Sequence, residues 1–100
     1  MKFAIKQNVL MEHLNYVIRG ISNKNLVPIL NCIKFDLNED GLYMISTDNN
    51  IVIRTLIDRS LILSIDESGS TVVAGRFIYD IINKLEIGCI RVSIMDLIKY

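Results

Sequence analysis

Phe3 and Ile5 alternate with Lys2, Ala4 and Lys6, the two-residue period of a strand with one buried face. The period then changes. Leu10, Leu14, Val17, Ile18 and Ile21 recur at helical spacing, with Glu12, His13, Asn15, Tyr16 and Arg19 opposite them. Asn8 is placed to cap this helix and Gly20 to stop it. Ser22–Val27 is polar, and Pro28 blocks any helix from running on. Ile29–Leu37 alternates again, with Ile33, Phe35 and Leu37 on one face and Cys32, Lys34 and Asp36 on the other. Asn38-Glu39-Asp40-Gly41 is a hairpin turn signal, Leu42–Thr47 the returning strand, and Asp48-Asn49-Asn50 a second turn. Ile51–Ile57 is apolar on both faces, which predicts a central strand. After Asp58-Arg59-Ser60, a short edge strand is expected over Leu61–Ile65 and another strand over Ser70–Ala74, ended by Gly75. Ile78, Ile81, Ile82 and Leu85 mark a second helix across Arg76–Leu85. Cys89–Ile94 alternates once more.

Helices separated by runs of hairpin-joined strands predict an α+β domain. Its sheet should be mainly antiparallel, with both helices on one face. One hundred residues are enough for one domain at most. The last predicted strand, left without a next partner, would be an exposed edge.

Composition narrows this only a little. The apolar fraction is 51%, enough for a packed core and too much for disorder. Eleven basic and eleven acidic residues cancel, so the whole chain lacks the basic surplus of a tight nucleic-acid binder. The charge is uneven: Lys2, Lys6, Arg19 and Lys24 face a single acid, Glu12, within Met1–Val27. Cys32 and Cys89 sit among apolar residues without a CxxC pair, and are expected to be buried, reduced thiols. Lys6, Gln7 and Asn8 interrupt any secretory apolar segment, and no apolar stretch approaches membrane-spanning length. A cytoplasmic protein without a membrane partner is expected.

No catalytic constellation is visible. His13 is the single histidine, lies on the polar side of the first helix, and lacks a metal-ligand partner four residues on. Asp48-Asn49-Asn50 lacks the glycine and terminal glutamate of a calcium loop. No helix follows Ser68-Gly69-Ser70 directly, so it is neither a phosphate loop nor a nucleophile elbow. No cofactor and no metal are expected, and an enzyme is not. The residues alone support a binding or scaffolding domain.

Four segments in order resemble the bacterial β sliding clamp family. These are Met1-Lys2-Phe3 with Asn8–Gly20; Pro28-Ile29-Leu30 behind a loop holding Lys24; Ser46-Thr47-Asp48; and Gly69-Ser70 with Gly75-Arg76-Phe77 and Asp80–Leu85. The likeness covers residues 1–90 and fades over Met95–Tyr100. It implies part of the N-terminal domain of a DNA clamp, with the domain's final strands missing. Such clamps are replication processivity factors: non-catalytic partners of a DNA-directed DNA polymerase, closed into rings around duplex DNA. The helices line the hole and the sheets form the outer wall.

The partners implied are double-stranded DNA held weakly and without sequence preference, a second subunit of a homodimeric ring, the replicative polymerase and the clamp loader. The residues implied to face DNA are Lys24, Arg19, Arg76, Asn83 and Lys84. Phe77, Ile81 and Leu85 are implied to meet the neighbouring subunit. Glu12 stands where the family often has a basic residue. The competing reading is a stand-alone protein-interaction module with a clamp-like fold and no DNA role, in which the same cations are simply solvated.

Overall fold

Strand β1 (Lys2–Lys6) runs without a gap into helix α1 (Gln7–Val17), and a 3-10 turn follows over Ile18–Gly20. The computed structural model describes residues 1–21, 31–48 and 50–94. The expectations for the loop containing Lys24, for Pro28, Ile29 and Leu30, and for Met95–Tyr100 lie outside the described residues. The chain continues as β2 (Cys32–Asn38), β3 (Gly41–Thr47), β4 (Val52–Asp58), a 3-10 turn (Arg59–Leu61), β5 (Ile62–Glu67), β6 (Gly69–Ala74), α2 (Gly75–Lys84) and β7 (Cys89–Ser93).

The expected α+β class holds, with antiparallel pairing throughout. The strands nevertheless form two sheets, ordered β5-β1-β7 and β4-β3-β2-β6, where a single sheet was expected. The division arises because β1 takes both its partners from far along the chain, which a local pattern does not encode. The switch between sheets falls at Asp58, whose carboxylate accepts from the Ser60 N–H at 3.0 Å and the Ser60 hydroxyl at 2.6 Å. That cap opens the Arg59–Leu61 turn and sends β5 away from β4 to pair with β1.

Strand β4 is a sheet edge, not the central strand expected from its apolar faces. Ile57 is fully buried, but Val52 on the opposite face is 69% exposed and Leu56 is exposed too. Its outward apolar residues therefore face solvent. The short edge strand expected over Leu61–Ile65 is an edge, displaced to Ile62–Glu67. Among the described residues, strand β7 pairs only with β1 and stands at the edge of its sheet.

Both helices cover one face of the four-stranded sheet, α1 over β3 and β4, α2 over β2 and β6. Phe3 and Ile5 from β1, Leu10 and Leu14 from α1, Ile33, Phe35 and Leu37 from β2, and Leu42 and Met44 from β3 fill a common core. Ile62 of β5, Ile82 of α2 and Val92 of β7 join them, so the two sheets share it.

Asn8 does not cap α1. The cap position is Lys6, which offers no side-chain bond. Gln7 anchors the helix start: its N–H donates to the Gly88 carbonyl at 2.8 Å and its buried side-chain amide donates to the Ile82 carbonyl at 3.0 Å. Gly20 acts by allowing close approach. A Cβ there would strike Ser46 Oγ, which donates to the Val17 carbonyl at 2.6 Å beneath the helix end. Gly41 serves differently: φ is +133°, and a Cβ would meet the Ile57 carbonyl.

Gly20→Ala is expected to lower the unfolding free energy by about 1–3 kcal/mol, the range for forced overpacking. Urea denaturation measures it, and an unchanged midpoint would show that the helix end can lift without loss. The two turn aspartates give a pH signature. Asp48 is held below the usual carboxylate range by the N–H groups of Ile51 and Asn50, and Asp58 by the Ser60 hydroxyl and N–H. A depressed folded-state pKa adds stability above the unfolded value, about 3.9, and that stability is lost as pH falls through the folded value. The stability gap between the parent chain and Asp48→Asn or Asp58→Asn should thus be present at neutral pH and close below about pH 4. A gap that stays constant into strong acid would refute this.

Candidate nucleic-acid interface

Helices α1 and α2 lie side by side on the sheet and are joined at their outer surface. The Tyr79 hydroxyl donates to Asn15 Oδ1 at 2.7 Å, and the Arg76 guanidinium stands 5.3 Å from the centre of the Tyr79 ring. This bridge was not anticipated: Tyr79 carried no assignment from sequence. The one local signal was the three-residue spacing from Arg76, which puts guanidinium and ring on neighbouring turns.

The helical period sorts the exposed residues of α2. Ile78 and Ile82 point into the core. Arg76, Tyr79 and Asn83 form the flank beside α1, and Asp80 and Lys84 occupy the crown. Phe77 and Ile81 form the far flank, 64% and 41% exposed, and Leu85 continues it just past the helix end at 42%. The cations implied to face DNA and the apolar residues implied to meet a subunit thus lie on different sides of one helix. Lys84, in the last turn, also sits favourably at the negative end of the helix dipole.

Arg19 is exposed on the 3-10 turn that prolongs α1. Glu12 is exposed too, accepting from the Tyr16 hydroxyl at 3.3 Å. His13 was expected to be solvent-exposed and is half-buried: Nδ1 lies 3.0 Å from the Val9 carbonyl and the ring meets Tyr16 edge-on at 5.8 Å. The pair of helices shows Arg19, Arg76 and Lys84 against Glu12 and Asp80, three positive charges less two negative, or +1. That surface attracts phosphate only loosely.

A cavity of about 790 Å³ lies elsewhere, lined by the β2–β3 turn, Arg59, Ile65, Asp66 and Ser68. Among the described residues no cluster of His, Cys, Asp and Glu could hold a metal. None of those residues' helices is long and apolar enough to cross a membrane. The cysteines depart from expectation: Cys32 is half-buried and Cys89 is exposed, because Cys89 lies on the outer face of the edge strand β7. Asp48 does form a turn, its carboxylate accepting from the N–H groups of Asn50 at 3.0 Å and Ile51 at 2.8 Å.

Two adjacent helices over antiparallel sheets, with a lightly charged outer surface, define a clamp-type domain. The chain belongs to the family of the DNA polymerase III beta subunit, N-terminal domain, whose model matches residues 1–98. The beta sliding clamp of Staphylococcus aureus is 37% identical over 89 residues, covering 85% of this chain and 24% of that protein. A crystal structure of the DNA polymerase beta subunit of Streptococcus pyogenes superposes with a TM-score of 0.87 at 28% identity, over 96% of this chain and 25% of that one. The DNA polymerase sliding clamp of Bacillus subtilis gives 0.87 at 29%, over 96% and 26%. The chain therefore spans about a quarter of the length of these relatives.

The two flanks of α2 should respond differently to polar substitution. Ile81→Asp is expected to change stability by less than about 0.5 kcal/mol, as at ordinary surface sites. Ile82→Ala, 3% exposed in the parent, should cost about 2–5 kcal/mol. Denaturant titration of both variants checks this, and a comparable loss in the two would mean that the far flank is part of the core.

Proposed function

We propose that this domain contributes to a sliding clamp, a replication processivity factor that encircles duplex DNA and keeps a replicative polymerase on its template. Residues 1–100 read as part of its N-terminal domain. The observation that carries the proposal is the joined pair of helices, whose outer surface combines a few exposed cations with almost no net charge. A ring that slides must touch phosphates weakly, often and without reading bases. Arg19, Arg76, Asn83 and Lys84 take the DNA-facing role, with Lys24 included on family resemblance. Lysine meets phosphate as a point charge; arginine offers a fork of donors. Tyr79 holds the Arg76 side chain over α2 and limits the entropy lost when a phosphate arrives.

Phe77, Ile81 and Leu85 take the subunit-facing role in a homodimeric ring. Large apolar side chains exposed together on one flank are what a partner surface covers. The domain does no chemistry itself: as an accessory subunit it leaves catalysis to the polymerase, and it works in the cytoplasm with the polymerase and a clamp loader.

The test is an NMR titration of the chain with duplex DNA at low salt, where weak contacts are detectable. Shifts should gather on Arg19, Arg76, Asn83 and Lys84 and be indifferent to base sequence. The apparent affinity should fall with salt, and Arg76→Glu or Lys84→Glu should each reduce the logarithmic salt slope by about 1. Shifts confined to the sheet faces would overturn the assignment.

A further inference from the structure

The face of the four-stranded sheet turned away from the helices has a chemistry of its own. Strand register sets its side chains in rows. Lys34 of β2, Ile45 of β3 and Arg54 of β4 stand abreast, with Val72 of β6 beside Lys34. The next row holds Ser70, Asp36, Tyr43 and Leu56. Two cations thus bracket an apolar centre. Tyr43 and Ile45 are half-buried there, and Val72 and Leu56 are 48% and 38% exposed.

The charges on this face are unequally served. Asp36 accepts from the Ser70 hydroxyl at 2.9 Å, and Asp58, at the end of β4, from the Ser60 hydroxyl at 2.6 Å. Neither Lys34 nor Arg54 makes an ion pair among the described residues. Arg54 instead lies along the sheet, its guanidinium 4.6 Å from the centre of the Tyr43 ring. That contact holds the side chain down without using its N–H donors. A fork of donors fixed beside apolar surface suits a carboxylate. Tyrosine and arginine are also the residue types on which protein interfaces most depend.

We infer that this outer face docks an acidic helix of a partner protein, whose apolar side chains sit on Ile45 and Tyr43 between a carboxylate on Lys34 and another on Arg54. The spacing selects a helix. Strands β2 and β4 flank β3, so the two cations stand two strand spacings apart, about 10 Å. Residues i and i+7 of an α-helix are about 10.5 Å apart on one face, with i+3 and i+4 between them. An extended segment repeats its face at about 6.8 and 13.6 Å and fits less well. A helix laid across the strands and reading Glu-x-x-Leu-Leu-x-x-Glu meets both cations and the apolar centre together. Nucleic acid is disfavoured here. Tyr43 is the one aromatic ring on this face among the described residues, and Arg54 already covers it, so a base has no free ring to stack on. The face lies opposite α1 and α2 and stays open when the helix surface is occupied.

The experiment is an NMR titration of the chain with a synthetic peptide carrying that stripe, about 20 residues long so that it holds a helix. A second peptide has lysine at both glutamate positions, and a dT oligonucleotide is the third probe. The acidic peptide should give saturable shifts at the amides of Lys34, Tyr43, Ile45 and Arg54, and the other two should not. Arg54→Glu should raise the apparent Kd for the acidic peptide at least about tenfold, the scale of one charge-assisted hydrogen bond. The chain carrying both Lys34→Glu and Arg54→Glu should reject the acidic peptide and accept the lysine peptide. If that double variant does not fold, Arg54→Gln decides: a weakened acidic peptide supports the docking and an unchanged Kd refutes it. Absence of saturable shifts on this face overturns the proposal. So does equal affinity for the two peptides, which reduces the contact to apolar adhesion, and so do shifts produced by the oligonucleotide alone, which assign the face to nucleic acid.

Discussion

Helix α1 lies close on the four-stranded sheet because Gly20 has no side chain where Ser46 reaches up from β3 to the Val17 carbonyl. The rest of the helical layer depends on that approach. Ser46 donates to a carbonyl at the helix end, and it does so while buried. With α1 seated, Gln7 at its other end reaches the Ile82 carbonyl and the Gly88 carbonyl holds the Gln7 N–H, which fixes α2 and its exit loop beside it. The Tyr79–Asn15 bond then joins the two helices at the surface. The helix pair is thus held from beneath, at its end and from above. The outer surface of the pair depends on that support, since its side chains can only be placed as well as their backbones.

The chemistry of that surface is restrained. A protein that must grip DNA spends many cations on it, whereas the two helices here show a balance near zero. Glu12 on α1 and Asp80 on α2 hold that balance down. Beside so weak a field, the exposed apolar flank of α2 is the more distinctive surface. Phe77 and Ile81 lie across the helix from Arg76 and Asn83, so one helix of 10 residues keeps an apolar flank and a polar flank apart.

The helices and most strands were legible because each shows its own period. Leu10, Leu14 and Val17 declare α1, and Phe35 and Leu37 declare β2, whatever they pack against. The hairpin at Asn38–Gly41 was legible for a local reason too: its geometry needs a residue that tolerates φ near +133°. The candidate polar residues could be listed from resemblance, and the structure places Arg76 and Asn83 on one flank with Lys84 on the crown. Their support could not be foreseen. Tyr79 and Asn15 are 64 residues apart, and neither residue type announces a bridge.

The sequence by itself determined the identity and order of the elements and which face of each is apolar, since these follow from periods of two and near four residues. Only the tertiary structure decided how the strands divide. Strand β1 draws β5 and β7 into a second sheet, β4 becomes an edge despite its apolar outer face, and Cys89 comes to the surface. The reason is physical. Hydrophobic pattern records what a residue could bury, while pairing between distant strands sets what is actually covered.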